Sequence, residues 1–249
     1  MRPSIRRWRV VFKLHFMINY QFLKKYLTKI SIITFTLSCI CFTWGFYVIF
    51  YDSPDDYLQM NLVKILYLHV PSAWLSIFFY FLLGISSLLF LVSKNPMYDI
   101  FAKSFAYVSI YLSICTLITG SIWGKPAWGT WWIWDARLTS MLVLLCFEML
   151  YFLVRNSFQS ELRSAKIAAT FAILGLLDLP IIKFSVDLWA TLHQKSSVLT
   201  FDGPKIHESM LYPLFIMFFS LFLLAIFITL ISIQLEIVRR KINNEILKE

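Results

Sequence analysis

Six stretches of the chain carry apolar side chains almost without interruption, at roughly 30 to 51, 70 to 92, 104 to 122, 138 to 154, 166 to 183 and 210 to 235. A helix needs roughly 20 residues to cross a hydrocarbon layer about 30 Å thick, and these stretches approach or reach that length. A spanning backbone must pair its polar groups internally, so long apolar runs predict helices rather than barrel strands. The predicted fold class is all-α: a polytopic membrane protein, a six-transmembrane-helix bundle with outer-face loops. No repeat, low-complexity stretch or long linker divides it. The expected layout is a basic inner tail over 1–29, a membrane domain over 30–235 containing a tryptophan-rich loop at 121–137, and a basic inner tail over 236–249.

Composition agrees with the pattern. Of 249 residues, 59% are hydrophobic and 15% charged, with 24 Phe against 7 Gly. That usage excludes a soluble domain. Cys39, Cys41, Cys115 and Cys146 all fall in apolar runs and are read as small core residues, not as a disulfide framework or metal cluster. Charge sets the orientation. With six spans, 17 of the 23 Lys and Arg fall on the side that holds both tails, including Arg2, Arg6, Arg7, Arg9, Arg239 and Arg240, and six on the other. The positive-inside rule then puts both termini in the cytoplasm or the mitochondrial matrix. No acidic residue precedes Asp52, so the Arg-rich start also fits a transit peptide, but an orienting basic flank explains the same residues.

Candidate chemistry gathers on the outer side. Five of the nine tryptophans, Trp123, Trp128, Trp131, Trp132 and Trp134, fall within twelve residues. An interfacial aromatic belt is the plain explanation, but a belt spreads its rings over many helix ends. Crowding into one loop with Gly and Pro fits a platform for a flat apolar ligand better. His69 and His193 lie on the same outer side, and haem iron takes imidazole ligands while its ring takes aromatic contact. Lys125 and Arg137 are the nearest cations for haem propionates. His15 and His207 are read as solvated surface. Glu148, near the middle of the fourth span, and Asp178, near the outer end of the fifth, brace packing or belong to a proton route. Bracing is preferred, because the sequence shows no chain of ionisable groups leading from them.

The run from Trp123 to Asp135, with His69-Val70-Pro71 before it and Thr191-Leu192-His193-Gln194 after it, resembles the signature of haem-handling "WWD" membrane proteins. In particular it resembles the CcmC family, the C component of system I cytochrome c maturation, over about residues 30 to 235. The resemblance implies that His69 and His193 are axial ligands of a haem (heme b) at the outer face, with the Trp123 to Asp135 loop as its platform. It also implies delivery to the haem chaperone CcmE, beside the ABC transporter components CcmA and CcmB and the small membrane protein CcmD. Lipid is the other partner, and no nucleic acid is expected. Residues Lys195 to Glu208 match no family pattern. The expected role is haem binding and delivery without bond chemistry, so not an enzyme. The alternatives are a membrane permease subunit exporting haem or another solute, and a quinol-oxidoreductase cytochrome, which would want histidines inside facing spans. The expected location is the mitochondrial inner membrane, with a bacterial inner membrane as the alternative.

Overall fold

The computed structural model describes residues 20–56, 59–195, 197–198 and 203–246. The tail basics from Arg2 to Lys13, and His15, lie outside the described residues. The elements are α1 (Tyr20–Tyr47), continued by a π turn (Val48–Asp52), then a 3-10 turn (Asn61–Ile65) leading into α2 (Leu66–Ser93), and α3 (Pro96–Trp128). There follow α4 (Ala136–Ser157), α5 (Glu161–Leu174), a 3-10 turn (Gly175–Leu177), α6 (Asp178–Leu188) and α7 (Glu208–Ile246). Taken together they form six helical segments long and apolar enough to cross a membrane, with α5 and α6 making one segment. The polytopic all-α expectation holds.

Local signals set the boundaries. Lys94 at φ 56° ends α2, and Asn95 caps α3 by accepting from the Met97 amide at 3.0 Å, with Pro96 in the first turn. Asp135 caps α4 and Ser160 caps α5. The third span runs further outward than the sequence suggests. Gly124 and Pro126 read as helix breakers, yet α3 continues to Trp128 and stops at Gly129, whose φ of 77° suits only glycine well. Trp123 and Trp128 are therefore helical, and the loop proper is the stretch from Gly129 to Asp135.

Helix packing rests on small residues and on paired polar groups. α1 lies along α7, where Ser38 donates to the Ser220 carbonyl at 2.9 Å and Ser220 donates back to the Ser38 carbonyl at 3.1 Å. α2 lies along α3, and the pair α5–α6 packs against α2 and α4. Tyr80, Leu83, Ala106, Leu144, Tyr151, Ala168 and Ala172 form the central core. Outward faces carry exposed Ile33, Phe81, Leu153 and Phe219, as a lipid-facing surface requires. Cys39 and Cys146 also face outward, so two of the four cysteines are not core residues; an apolar run in a membrane bundle has a lipid side as well as a core side.

The start of α3, the end of α4, the start of α5 and the end of α7 meet at the end of the bundle opposite the tryptophans, joined by charge. Asp99 accepts from Arg155 at 2.7 Å and from Arg240; Glu236 accepts from Lys103 at 2.8 Å, Arg239 at 2.6 Å and Arg240 at 2.9 Å; and Glu161 of α5 pairs with Arg239 at 2.8 Å and Arg240 at 3.3 Å. Asp99 and Arg155 are each 3% exposed, whereas the Lys64–Asp55 pair is 3.4 Å apart with Asp55 45% exposed. Removing one member of a buried pair strands its partners, at a cost of about 3–5 kcal/mol, while an exposed pair contributes ~0–1 kcal/mol. Asp99→Ala is expected to lower the thermal unfolding midpoint of the detergent-purified protein sharply, and Asp55→Ala to leave it nearly unchanged. Equal shifts would mean that the network does not tie the helix ends.

Candidate functional site

At the tryptophan end, α2, α3, α4, α6 and the segment after α6 surround an open cleft of about 340 Å³. That is within the range of small-molecule pockets, at its lower end. Its wall holds His69, His193, Trp123, Trp128, Trp132 and Arg137, six of the residues singled out from the sequence. The two imidazole rings stand 6.5 Å apart between centroids, at 36° to each other. His69 meets Trp123 edge-on at 5.8 Å, and Trp128 lies 6.3 Å from His193.

Hydrogen bonds bear on the tautomer of each histidine. Thr119 Oγ1 lies 2.7 Å from the Cys115 carbonyl and 3.0 Å from His69 Nδ1, so with its one hydrogen on the carbonyl it accepts from the ring. His193 Nδ1 lies 3.0 Å from the Gln194 carbonyl, which only accepts. The carbonyl partner puts the hydrogen of His193 on Nδ1 and leaves its Nε2 lone pair, the arrangement in which histidines ligate metals, and His69 takes the same form when the Thr119 hydroxyl donates to its own helix. Burial lowers the His193 pKa, the Gln194 carbonyl opposes this, and the Arg137 charge adds to the lowering, so the neutral ring is favoured.

Backbone features make room for these rings. A Cβ at Gly120 would sit 3.0 Å from His69 Cε1, and one at Gly124 would sit 2.9 Å from Trp128 Cε3. Larger residues there would push the imidazole and the indole out of place. Trp123 Nε1 donates to Gln59 Oε1 at 2.7 Å, which fixes that ring's rotation. Trp132 Nε1 is a buried donor with no partner among the described residues. A buried N–H of this kind on a cleft-lining residue suits a ligand that brings an acceptor, as a haem propionate does.

Comparison with known proteins then decides the family. A family profile described as "Heme exporter protein C" matches residues 13–248. A Marchantia polymorpha protein named a cytochrome c biosynthesis ccmC-like mitochondrial protein is 44% identical over 179 residues, covering 72% of this chain and 75% of its own. A Bradyrhizobium diazoefficiens heme exporter protein C is 42% identical over 192 residues, covering 77% and 73%. An Escherichia coli heme exporter protein C is 34% identical over 215 residues, covering 86% and 85%. The chain belongs to the heme exporter protein C family.

Within this family member, the other sequence-singled residues fall outside the cleft wall. Trp131 and Trp134 are 58% and 78% exposed, and Trp134 stacks edge-on with Trp132 at 5.6 Å. Lys125 donates to the Gly129 carbonyl at 2.9 Å and lies 6.0 Å from the Trp131 ring centre, away from the cleft. Lys183, which the sequence reading passed over, lines it instead. Arg137 donates to Ser185 Oγ and to the Lys183 carbonyl, both at 3.3 Å, joining α4 to α6. His207 is exposed and pairs with Ser209 at 2.8 Å.

Asp135 is a positioning residue. One carboxylate oxygen accepts from the Leu138 amide at 2.8 Å and caps α4; the other accepts from the Thr191 hydroxyl. Thr191 Oγ1 in turn accepts from the His193 amide at 3.0 Å. Thr119, Gln59 and Thr191 were missed, because a single hydroxyl or amide in a long sequence carries no pattern until its partner is placed. Asp135→Ala is expected to cost about 0.5–2 kcal/mol as a lost cap, and also to free the His193 segment. Thr191→Val keeps the cap and frees only that segment. Hydrogen-exchange mass spectrometry should show faster exchange around residues 191–195 in both variants and at the start of α4 only in Asp135→Ala.

Proposed function

We propose that this protein holds haem b in the outer cleft, with His69 and His193 as its two axial ligands, and passes it to a haem chaperone, CcmE, for cytochrome c maturation. Family membership supports the haem-handling role, and the pair of histidines carries the site. An imidazole nitrogen ligates a metal at about 2 Å, and each ring centre lies ~1 Å behind its nitrogen, so two rings on opposite sides of one iron have centres ~6 Å apart. The observed 6.5 Å is close to that separation, and the Gln194 carbonyl on His193 Nδ1 leaves the Nε2 of that ring for a metal. Two imidazoles fill both axial positions, which suits carriage of haem rather than chemistry at the iron.

Each neighbouring group has a part in this reading. Trp123, Trp128 and Trp132 give the porphyrin ring apolar contact, Arg137 and Lys183 face its propionates, and the unpartnered Trp132 N–H supplies a further donor. Asp135 acts through Thr191 on the His193 segment. The exposed indoles of Trp131 and Trp134 stand near the rim, where a chaperone taking the haem would dock. The family assignment supports CcmA, CcmB and CcmD as companions. The basic-residue asymmetry supports a topology with both tails on the matrix or cytoplasmic side and the cleft on the outer side, in the inner membrane of a mitochondrion or a bacterium. Against a permease that exports haem or another solute through its own bundle, Ile77, Leu117 and Met141 at the deep side of the cleft belong to or pack on the central core.

Absorption spectra of the purified protein and its variants test the ligand pair. His69→Ala and His193→Ala should each change the haem spectrum and lower occupancy, with partial recovery on adding imidazole, and the double change should abolish stable binding. A double variant that keeps an unaltered low-spin spectrum overturns the assignment. The lowered His193 pKa predicts a pH dependence. A depressed histidine stays neutral, and so able to ligate, until the pH falls below the ordinary value of about 6.5. Acid titration of the haem band in the His69→Ala variant should therefore show loss beginning below that value; loss that starts above neutrality contradicts it.

A further inference from the structure

Beneath the cleft lies a second polar cluster that haem handling does not use. Glu148 is completely buried in α4, Tyr80 completely buried in α2, and Asp178 is 6% exposed at the start of α6. Asp178 is thus in the bundle interior and not at the outer interface, the place its spacing from Lys183 suggests. Each of the three has an oxygen without a hydrogen-bond partner among the described residues: Glu148 Oε2, Tyr80 OH and Asp178 Oδ2. The Tyr80 hydroxyl is within electrostatic reach of both carboxyls. Four helices that line the cleft supply the groups, each a turn or two deeper than its lining residue: Tyr80 below Ile77, Ser113 below Thr116, Glu148 below Met141 and Asp178 below Ile182.

The fifth span breaks at the same depth. A 3-10 turn at Gly175–Leu177 separates α5 from α6, and a Cβ at Gly175 would fall 1.9 Å from the Tyr80 hydroxyl, so only glycine lets that hydroxyl reach the break. Irregular backbone at membrane depth is tolerated inside a protein, and broken helices near the midplane recur at ion and substrate sites.

Counting hydrogens points to the occupant. Ser109 Oγ lies 3.0 Å from the Ser76 carbonyl and also against Glu148 Oε1, yet it owns one hydrogen. An ionised Glu148 would leave two acceptors competing for it; a proton on Glu148 serves the second contact. Ser113 donates to the same carboxyl at 3.0 Å, and no basic side chain pairs with Glu148 or Asp178 among the described residues. No cluster of three or more His, Cys, Asp or Glu gathers there either, which favours a proton over a multivalent metal. The titratable group facing Glu148 is Tyr80, which also reaches Asp178, and Tyr151 lies a turn further along α4. Tyr151 in turn is within electrostatic reach of Arg155, Asp99, Arg240 and Glu236.

We propose that Glu148, flanked by Tyr80, Asp178, Ser109 and Ser113, is a buried proton-binding site that holds one exchangeable proton at the centre of the bundle. The proposal stands whether or not the cleft above binds haem. Infrared difference spectra of the purified full chain in lipid nanodiscs, recorded over the pH range in which it stays folded, test it. The expected result is a protonated-carboxyl stretch that fades as pH rises, moves in heavy water, disappears in Glu148→Gln and shifts in Tyr80→Phe. Should Glu148→Gln fail to fold, Ser109→Ala reads the same carboxyl, since loss of that hydroxyl must shift the band. Absence of the band overturns the proposal. So does a band unmoved by both Tyr80→Phe and Ser109→Ala, or a band insensitive to pH and heavy water, which marks a locked structural brace. A band abolished by sodium but not by choline at fixed pH also overturns it, in favour of a metal-cation site.

Discussion

Hydrocarbon offers no hydrogen bonds, so each polar group in this bundle is either paired inside the protein or carried to one of its two ends. Most of the architecture follows from that constraint. Buried serines and threonines close on carbonyls of their own helix or, like Ser38 and Ser220, on a neighbour's. Charges collect at one end into the Asp99, Arg155, Glu161, Glu236 and Arg240 network, which fastens four helix ends together. At the other end the helices part around a cleft. Among the described residues Glu148, Tyr80, Asp178, Tyr151 and Ser87 carry unpartnered oxygens inside the bundle, and the first three gather where the fifth span breaks.

The cleft is assembled from helix ends rather than from a free loop. His69 sits in the second turn of α2 and is held by Thr119 of α3, while Gly120 leaves space for its ring. His193 lies outside any helix, and its placement depends on the relay from the α4 cap through Asp135 and Thr191. The two ligand candidates thus differ in rigidity. One is fixed within the bundle, and the other hangs on a short segment with few anchors.

Much of this was legible in the sequence, for physical reasons that separate the successes from the misses. Uninterrupted apolar runs announce spans because lipid permits little else, and the tryptophan cluster with two outer histidines announced the cleft wall. Helix ends were less legible: Gly124 and Pro126 look like breakers, but a helix packed in a bundle carries both as far as Trp128. Lys125 and Lys183 show the limit of choosing cations by proximity along the chain. Lys125 is nearer the tryptophans in sequence, yet its ammonium turns to the Gly129 carbonyl, while Lys183 reaches the cleft from another helix. The course of the fifth span was hidden for a similar reason. Gly175 matters through the Tyr80 hydroxyl pressed against it, a contact between residues on different spans.

In the proposed haem complex the two imidazoles, set 6.5 Å apart at the tryptophan end of the bundle, grip one iron between them. Electron paramagnetic resonance of the unaltered protein, purified with its ferric haem, tests this most directly because the signal reports the axial ligand pair. The account predicts a low-spin ferric signal of the bis-imidazole type. A high-spin signal, or a low-spin signal from imidazole paired with a different ligand, would contradict it.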